Sequence, residues 1–205
     1  TNNCDGVEIE GIIMRGANCW HATIYRSKNV VIDNIKEIGA GYNTDGLNIV
    51  LSQNVHIKNC FLRQRDDGIV MKSMDTGNMD AFIVEVPQER TSTSNVLVED
   101  CTIWSDWGYA LGVTYETRMP VNDITFRNCD IIHATHAVKA QGVIGVLVAD
   151  SDIVSNVNFE NITIERSLKP IIKLDQKITP WTVNKDLGTI KDITFSNIKY
   201  LNGDP

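Results

Sequence analysis

The sequence predicts an all-β protein, a right-handed parallel β-helix of about seven coils, from three observations. A short motif of alternating apolar and variable residues, closing on an Asn-like position and then Cys or Ile, recurs seven times. The first apolar positions lie 23, 25, 41, 28, 33 and 36 residues apart, so the loops vary while the chain returns to the same strand. Helical periodicity is slight throughout. Each coil of such a stack buries its strand on the one below at about 4.8 Å, so seven coils make a rod about 30 Å long.

The strands are, in order, Val7–Ile12, Val30–Ile35, Val55–Cys60, Val96–Cys101, Ile124–Cys129, Val157–Ile162 and Ile193–Ile198, each alternating with a period of two. Asn34, Asn59, Asn128, Asn161 and Asn197 fall in one column, with Asp100 and Gly11 in the other two coils. An Asn there sits in a bend and bonds neighbouring backbone, so the column is expected to form a buried structural ladder. Cys60, Cys101 and Cys129 share the next column with isoleucines and are expected to pack as small hydrophobes. Cys4 and Cys19 are available for a disulfide, and no CxxC spacing suggests zinc.

Composition sets the outer bounds. The 205 residues are 42% hydrophobic and 22% charged, ordinary for one globular domain, here residues 1–205. No apolar run approaches the roughly 20 residues of a membrane-spanning helix. A net charge of −7 argues against a nucleic-acid partner, whose phosphates call for clustered Lys and Arg. The chain opens Thr1-Asn2-Asn3, which reads as a processed product or the central and C-terminal part of a longer protein. Two long interruptions, Ser73–Ser94 and Lys173–Thr189, are expected to be loops, the first lining one side of a cleft.

A second strand follows the first by about 12 to 15 residues in each coil. Aligning these strands on their apolar residues gives a column of His21, Asp45, Asp67, Tyr109 and His136 at one edge. Asp45 below Asp67, with Asp66 beside it, brings three carboxylates within about one coil spacing, where like charges repel and at least one pKa rises. A lone Asp-Gly is ordinary turn punctuation, but two in register beside a third acid point to chemistry.

Asn43-Thr44-Asp45-Gly46 and Asp66-Asp67-Gly68, about one coil apart, resemble the first two signature motifs of glycoside hydrolase family 28, the polygalacturonases. The resemblance covers essentially the whole chain and implies the pectin-lyase-like solenoid. It also implies hydrolysis of an α-linked polysaccharide with inversion: Asp66 as general acid, Asp45 and Asp67 holding and deprotonating the water, and Asn43 orienting the cluster or touching sugar. Two carboxylates admitting a water between them, roughly 6.5–9.5 Å apart, fit that outcome. Two motifs depart. Gly108-Tyr109-Ala110 stands where the family has Gly-His-Gly, and Lys139-Ala140-Gln141 where it has Arg-Ile-Lys, residues associated with the uronate carboxylate. A Lys does not reproduce the planar two-toothed contact of Arg.

Lys72 either restores a positive charge in the cleft or is a solvated edge residue. Tyr109 is a candidate hydrogen-bond donor or sugar platform, and His21 or His136 is a candidate for the missing His role. Trp20, Trp104, Trp107, Tyr115 and Trp181 are candidate stacking surfaces, with Trp107 favoured because it adjoins the motif row. The expected catalytic residues are therefore Asp45, Asp66 and Asp67, and the expected substrate-binding residues Asn43, Lys72, Trp107, Tyr109, His136 and Lys139. No cofactor or metal ion is expected. The expected partner is a polysaccharide or oligosaccharide, met by a secreted or periplasmic monomer. Three alternatives stay open: a neutral-glycan hydrolase resembling the dextranases and isopullulanases, a polysaccharide lyase whose acids hold Ca²⁺, and a non-catalytic carbohydrate-binding β-helix.

Overall fold

The computed structural model describes residues 1–74, 91–135, 141–183 and 186–201. These form seventeen strands and no helix, numbered here in chain order. The recurring motif lies on β1 (Asp5–Glu10), β4 (Lys28–Asp33), β7 (Gln53–Lys58), β10 (Thr93–Glu99), β13 (Val121–His133), β15 (Ile153–Ile164) and β17 (Thr189–Tyr200). Beyond the bend the same sheet continues in β2 (Ile13–Arg15), β5 (Lys36–Ile38), β8 (Phe61–Gln64) and β11 (Thr102–Ser105), and in the second halves of β13, β15 and β17. A second sheet stacks β3 (Ala22–Tyr25), β6 (Leu47–Val50), β9 (Ile69–Lys72), β12 (Leu111–Val113), β14 (Ile144–Val148) and β16 (Ile172–Gln176). All pairings are parallel, and the fold is the right-handed parallel β-helix expected from the repeats.

The motif copies meet residue on residue. Val7, Val30, Val55, Val96, Ile124, Val157 and Ile193 form one inward column. Two residues on, a second inward column ends in Phe126, Phe159 and Phe195, whose rings stack at centroid spacings of 4.8 and 5.1 Å. That is the strand separation itself, so the aromatic ladder satisfies sheet pairing and ring stacking together. Cys60, Cys101 and Cys129 are buried free thiols in the expected column, each Sγ donating to the carbonyl two residues back. Cys4 and Cys19 are also free thiols, not a disulfide.

The Asn column is real, but its side chains are exposed rather than buried. Asn34, Asn59, Asp100, Asn128, Asn161 and Asn197 all have φ between 51° and 56°, and Gly11 has φ 68°. The position is selected for a left-handed backbone, which Asn, Asp and Gly tolerate. A second such column lies five residues upstream: Gly6, Asn29, Asn54, Asn95, Asp123, Asn156 and Asp192. The sequence reading missed it. Its amides bond from coil to coil, Asn54 to Asn29 at 3.1 Å and Asn95 to Asn54 at 2.8 Å.

Two further readings change. Lys173 to Gln176 are not loop but part of β16, paired to β14. Most of the Ser73–Ser94 interruption, residues 75–90, lies outside the described residues, and β10 begins within it at Thr93.

Candidate active site

The acids occupy the entry edge of the second sheet. Asp45-Gly46 leads into β6 and Asp67-Gly68 into β9, and the two sheet strands pair Leu47 with Ile69. Gly46 N donates to Asp67 O at 2.8 Å and Gly68 N to Tyr109 O at 2.7 Å, so Asp45, Asp67 and Tyr109 stand above one another. Glycine after each acid is required by this approach: a Cβ on Gly68 would lie 2.4 Å from Ala110 O.

His21 is one residue out of that column, because β3 pairs Ala22 with Leu47. Its ring packs against Gly39, and Nδ1 lies 3.2 Å from Asp45 O. The strand stacked on β12 begins at Ile144, opposite Leu111, so the row His136–Lys139 is not the strand that continues the column. An alignment based on apolar pattern alone chose a row ahead of β14. His136 and Lys139 lie outside the described residues.

Beneath these edges opens a cleft of about 820 Å³. Asp45, Asp66, Asp67, Asn43, Lys72, Trp107 and Tyr109 all line it. Of the aromatic candidates, Trp20, Tyr115 and Trp181 line it as well, whereas Trp104 is absent from its wall and stacks on His133 at 4.3 Å. Asn43 has φ 51°, the left-handed turn that lets the chain rise into Asp45.

Lys72 is 3% exposed, so it is no solvated edge residue. Its Nζ lies 3.2 Å from Asp45, 3.7 Å from Glu116 and 3.8 Å from Asp67, with the Trp20 ring 4.0 Å away. Burial pulls its ammonium down, but Glu116, Asp45 and Asp67 more than offset this and hold it above the usual lysine range. One cation thus serves three carboxylates. Burial pushes Asp45 up to about 6, with Lys72 opposing, and lifts Asp67 well above the usual carboxylate range. Asp66 is also raised by burial, and it is the most exposed of the three.

The Tyr109 hydroxyl is buried beside Tyr115, and burial raises its pKa. Its backbone is engaged: Tyr109 N donates to Asp67 Oδ1 at 2.9 Å. Gln141, the last residue of the altered fourth motif, lines the cleft, its side-chain carbonyl oxygen without a partner among the described residues.

Sequence reasoning missed four polar contributors. Glu116 completes the Lys72 cluster. Arg65 and Tyr42 meet at the rim, the guanidinium 3.8 Å from the ring centroid. Lys169, 5% exposed, bonds the carbonyls of Trp107 and Gly108. For Arg65, adjacency to Asp66 was a usable signal, but Lys169 lies over 100 residues from the acids and carries no local pattern. Among the described residues no group of three or more His, Cys, Asp or Glu is disposed to hold a metal ion.

Carboxylates gathered on one sheet edge of a cleft are the groups that acid/base hydrolysis of a glycosidic bond requires. The model of glycosyl hydrolases family 28 matches residues 1–202, and the chain belongs to that family. Two Zea mays exopolygalacturonases are similar to it, one 28% identical over 202 residues and one 27% over 199, each aligning 93% of this chain and 43% of its own length. An Arabidopsis thaliana exopolygalacturonase is 27% identical over 201 residues, 96% of this chain and 42% of its own. The chain thus spans less than half the length of these relatives.

Proposed function

We propose that this chain carries the acid/base site of a polygalacturonase-like hydrolase that cleaves an α-linked galacturonan by inversion. The observation that carries it is the placement of Asp45, Asp66 and Asp67 on adjacent coil edges of one cleft, with raised proton affinity throughout. Asp66, the most exposed of the three and with its proton affinity raised by burial, delivers a proton to the glycosidic oxygen. Asp45 and Asp67, fixed by Lys72 and by the Tyr109 amide, orient and deprotonate the attacking water. Because one lysine serves three carboxylates, a proton shared across the cluster relieves the surplus charge. Trp107, Trp20 and Trp181 offer faces for sugar rings.

The names of the relatives support galacturonan and removal of residues from a chain end. Asn43 and Tyr109 line the cleft as substrate contacts, and Arg65 supplies a cation at its rim. A secreted or periplasmic location follows from a polymeric substrate. A neutral glycan is the second reading, favoured because Lys72 is already engaged by carboxylates and Gln141 replaces a basic residue of the family motif.

The test is reducing-end release from polygalacturonate, rhamnogalacturonan, dextran and pullulan, with Asp66→Asn alongside. Cleavage of polygalacturonate to monomer, lost about 10²–10⁴-fold in the variant, is the expected result. Cleavage of dextran or pullulan instead selects the neutral reading. No cleavage of any, or an Asp66→Asn enzyme as active as the parent, overturns the hydrolase assignment.

A further inference from the structure

Asp66 and Asp67 are held by a bracket made of the next coil. Asp106 N donates to Gln64 O at 3.0 Å and Trp107 N to Arg65 O at 2.5 Å. Ser105 Oγ donates to Asp66 O at 3.0 Å, and Tyr109 N to Asp67 Oδ1 at 2.9 Å. Gly108 comes so close that a Cβ there would stand 2.3 Å from Asp67 N and 2.5 Å from Asp67 Oδ1. Residues 105–109 therefore fix the Asp66 backbone and the direction of the Asp67 carboxylate.

The outer side of this bracket is fastened by Lys169, and Ser105 Oγ also donates to Gly108 O at 3.1 Å. Lys169 lies three residues before β16, two coils beyond β12, and its stem reaches back across the intervening coil. Its ammonium donates to Trp107 O and, at 2.7 Å, to Gly108 O. Its own turn is locked in place: Lys169 N donates to Ser167 Oγ at 2.9 Å, and Ser167 Oγ donates to Ala134 O at 3.3 Å. No carboxylate lies within ion-pair distance of it among the described residues, so carbonyls are its direct partners.

We propose that Lys169 is a positioning residue of the acid pair: it clamps the Trp107 and Gly108 carbonyls that set the bracket, and its charge favours the ionised forms of Asp66 and Asp67. The inference rests on the reading of those two aspartates as the proton-handling groups. Asp66, Asp67, Asp106 and His133 interact with Lys169, and Lys72, Asp45 and Glu116 also act on the acid pair. Burial lowers the Lys169 ammonium to about 8, and Asp67, Asp66 and Asp106 oppose a further fall. It is therefore mainly a cation below that value. A positive charge stabilises the carboxylate form, so removing it makes each acid hold its proton to higher pH.

The experiment follows the ¹³C side-chain carboxyl resonances of Asp66 and Asp67 through a pH titration in the parent, Lys169→Met and Lys169→Arg, with melting curves to verify folding. Lys169→Met is expected to move the Asp66 midpoint upward by roughly half a pH unit or more, and Lys169→Arg to leave it near the parent value. On a cleaved substrate, both limbs of the pH–rate profile move up with Lys169→Met, because acid and base alike lose the same field. A merely structural lysine would lower the height of the profile without moving it. Coincident midpoints in folded Lys169→Met overturn the inference even if cleavage is observed. Shifted midpoints in a protein that cleaves no glycan uphold it and overturn the hydrolase reading alone.

Discussion

At the scale of single residues, the cleft is an electrostatic compromise centred on Lys72. Lys72→Met leaves Asp45, Asp67 and Glu116 without their shared cation, and the expected loss is about 3–5 kcal/mol of stability near neutral pH, as for other broken buried pairs. The loss shrinks as the solution is acidified, because protonated carboxyls no longer need a counterion, and denaturant titrations at pH 5 and pH 7.5 would show it. Asp45 carries its own signature. Its pKa is raised from 3.8 unfolded to about 6 folded, so between those values the native state binds more protons, and stability falls as pH rises through that window. The burial responsible makes this worth on the order of 3 kcal/mol. Asp45→Asn is expected to flatten the pH dependence of the melting temperature between about pH 4 and pH 6; an unchanged slope would refute the assignment.

At the scale of elements, the two left-handed columns explain why Asn, Asp and Gly punctuate every coil. Asn128 has φ 52° and an exposed side chain that accepts from Asn161 at 3.0 Å. Asn128→Leu therefore costs stability through backbone conformation, about 1–2 kcal/mol, and Asn128→Gly recovers most of it. If burial of the amide were the cause, Gly would be as harmful as Leu. Cys101→Asp acts by a different route, forcing a carboxyl into a fully buried column, and should lower stability by several kcal/mol, more than Asn128→Leu does. Paired chemical denaturation of the three variants ranks them.

At the scale of the whole molecule, stability is built by stacking, and the inner coils are sealed on both sides. The residues of β9, β12 and β14 are buried throughout, whereas every position of β1 and β17 is half-buried or exposed. Hydrogen exchange should be slowest in the inner strands and fastest in β1, β16 and β17. Phe159→Ala removes the middle ring of a three-ring stack and is expected to cost about 3–5 kcal/mol, more than Phe195→Ala at the half-buried end. Equal losses would mean that the stack does not act as one ladder.

The period-two motif, read alone, determined the β-helix, the inward columns of Val7 and Ile9 with their equivalents, and the cysteine column, because in-register stacking repeats the same side-chain environment in every coil. It also placed Asp45 under Asp67, since each acid precedes a glycine and an apolar strand. The sequence could not place His21, whose strand enters one residue out of step, or say which row follows Tyr109, because loop lengths vary where apolar patterns are short. Only the tertiary structure decided that Lys72 is a buried counterion rather than a solvated edge residue. It alone brought Glu116 and Lys169 to the acids, because a β-helix makes neighbours of residues separated by whole coils, and a long side chain reaching across one leaves no periodic trace in the chain.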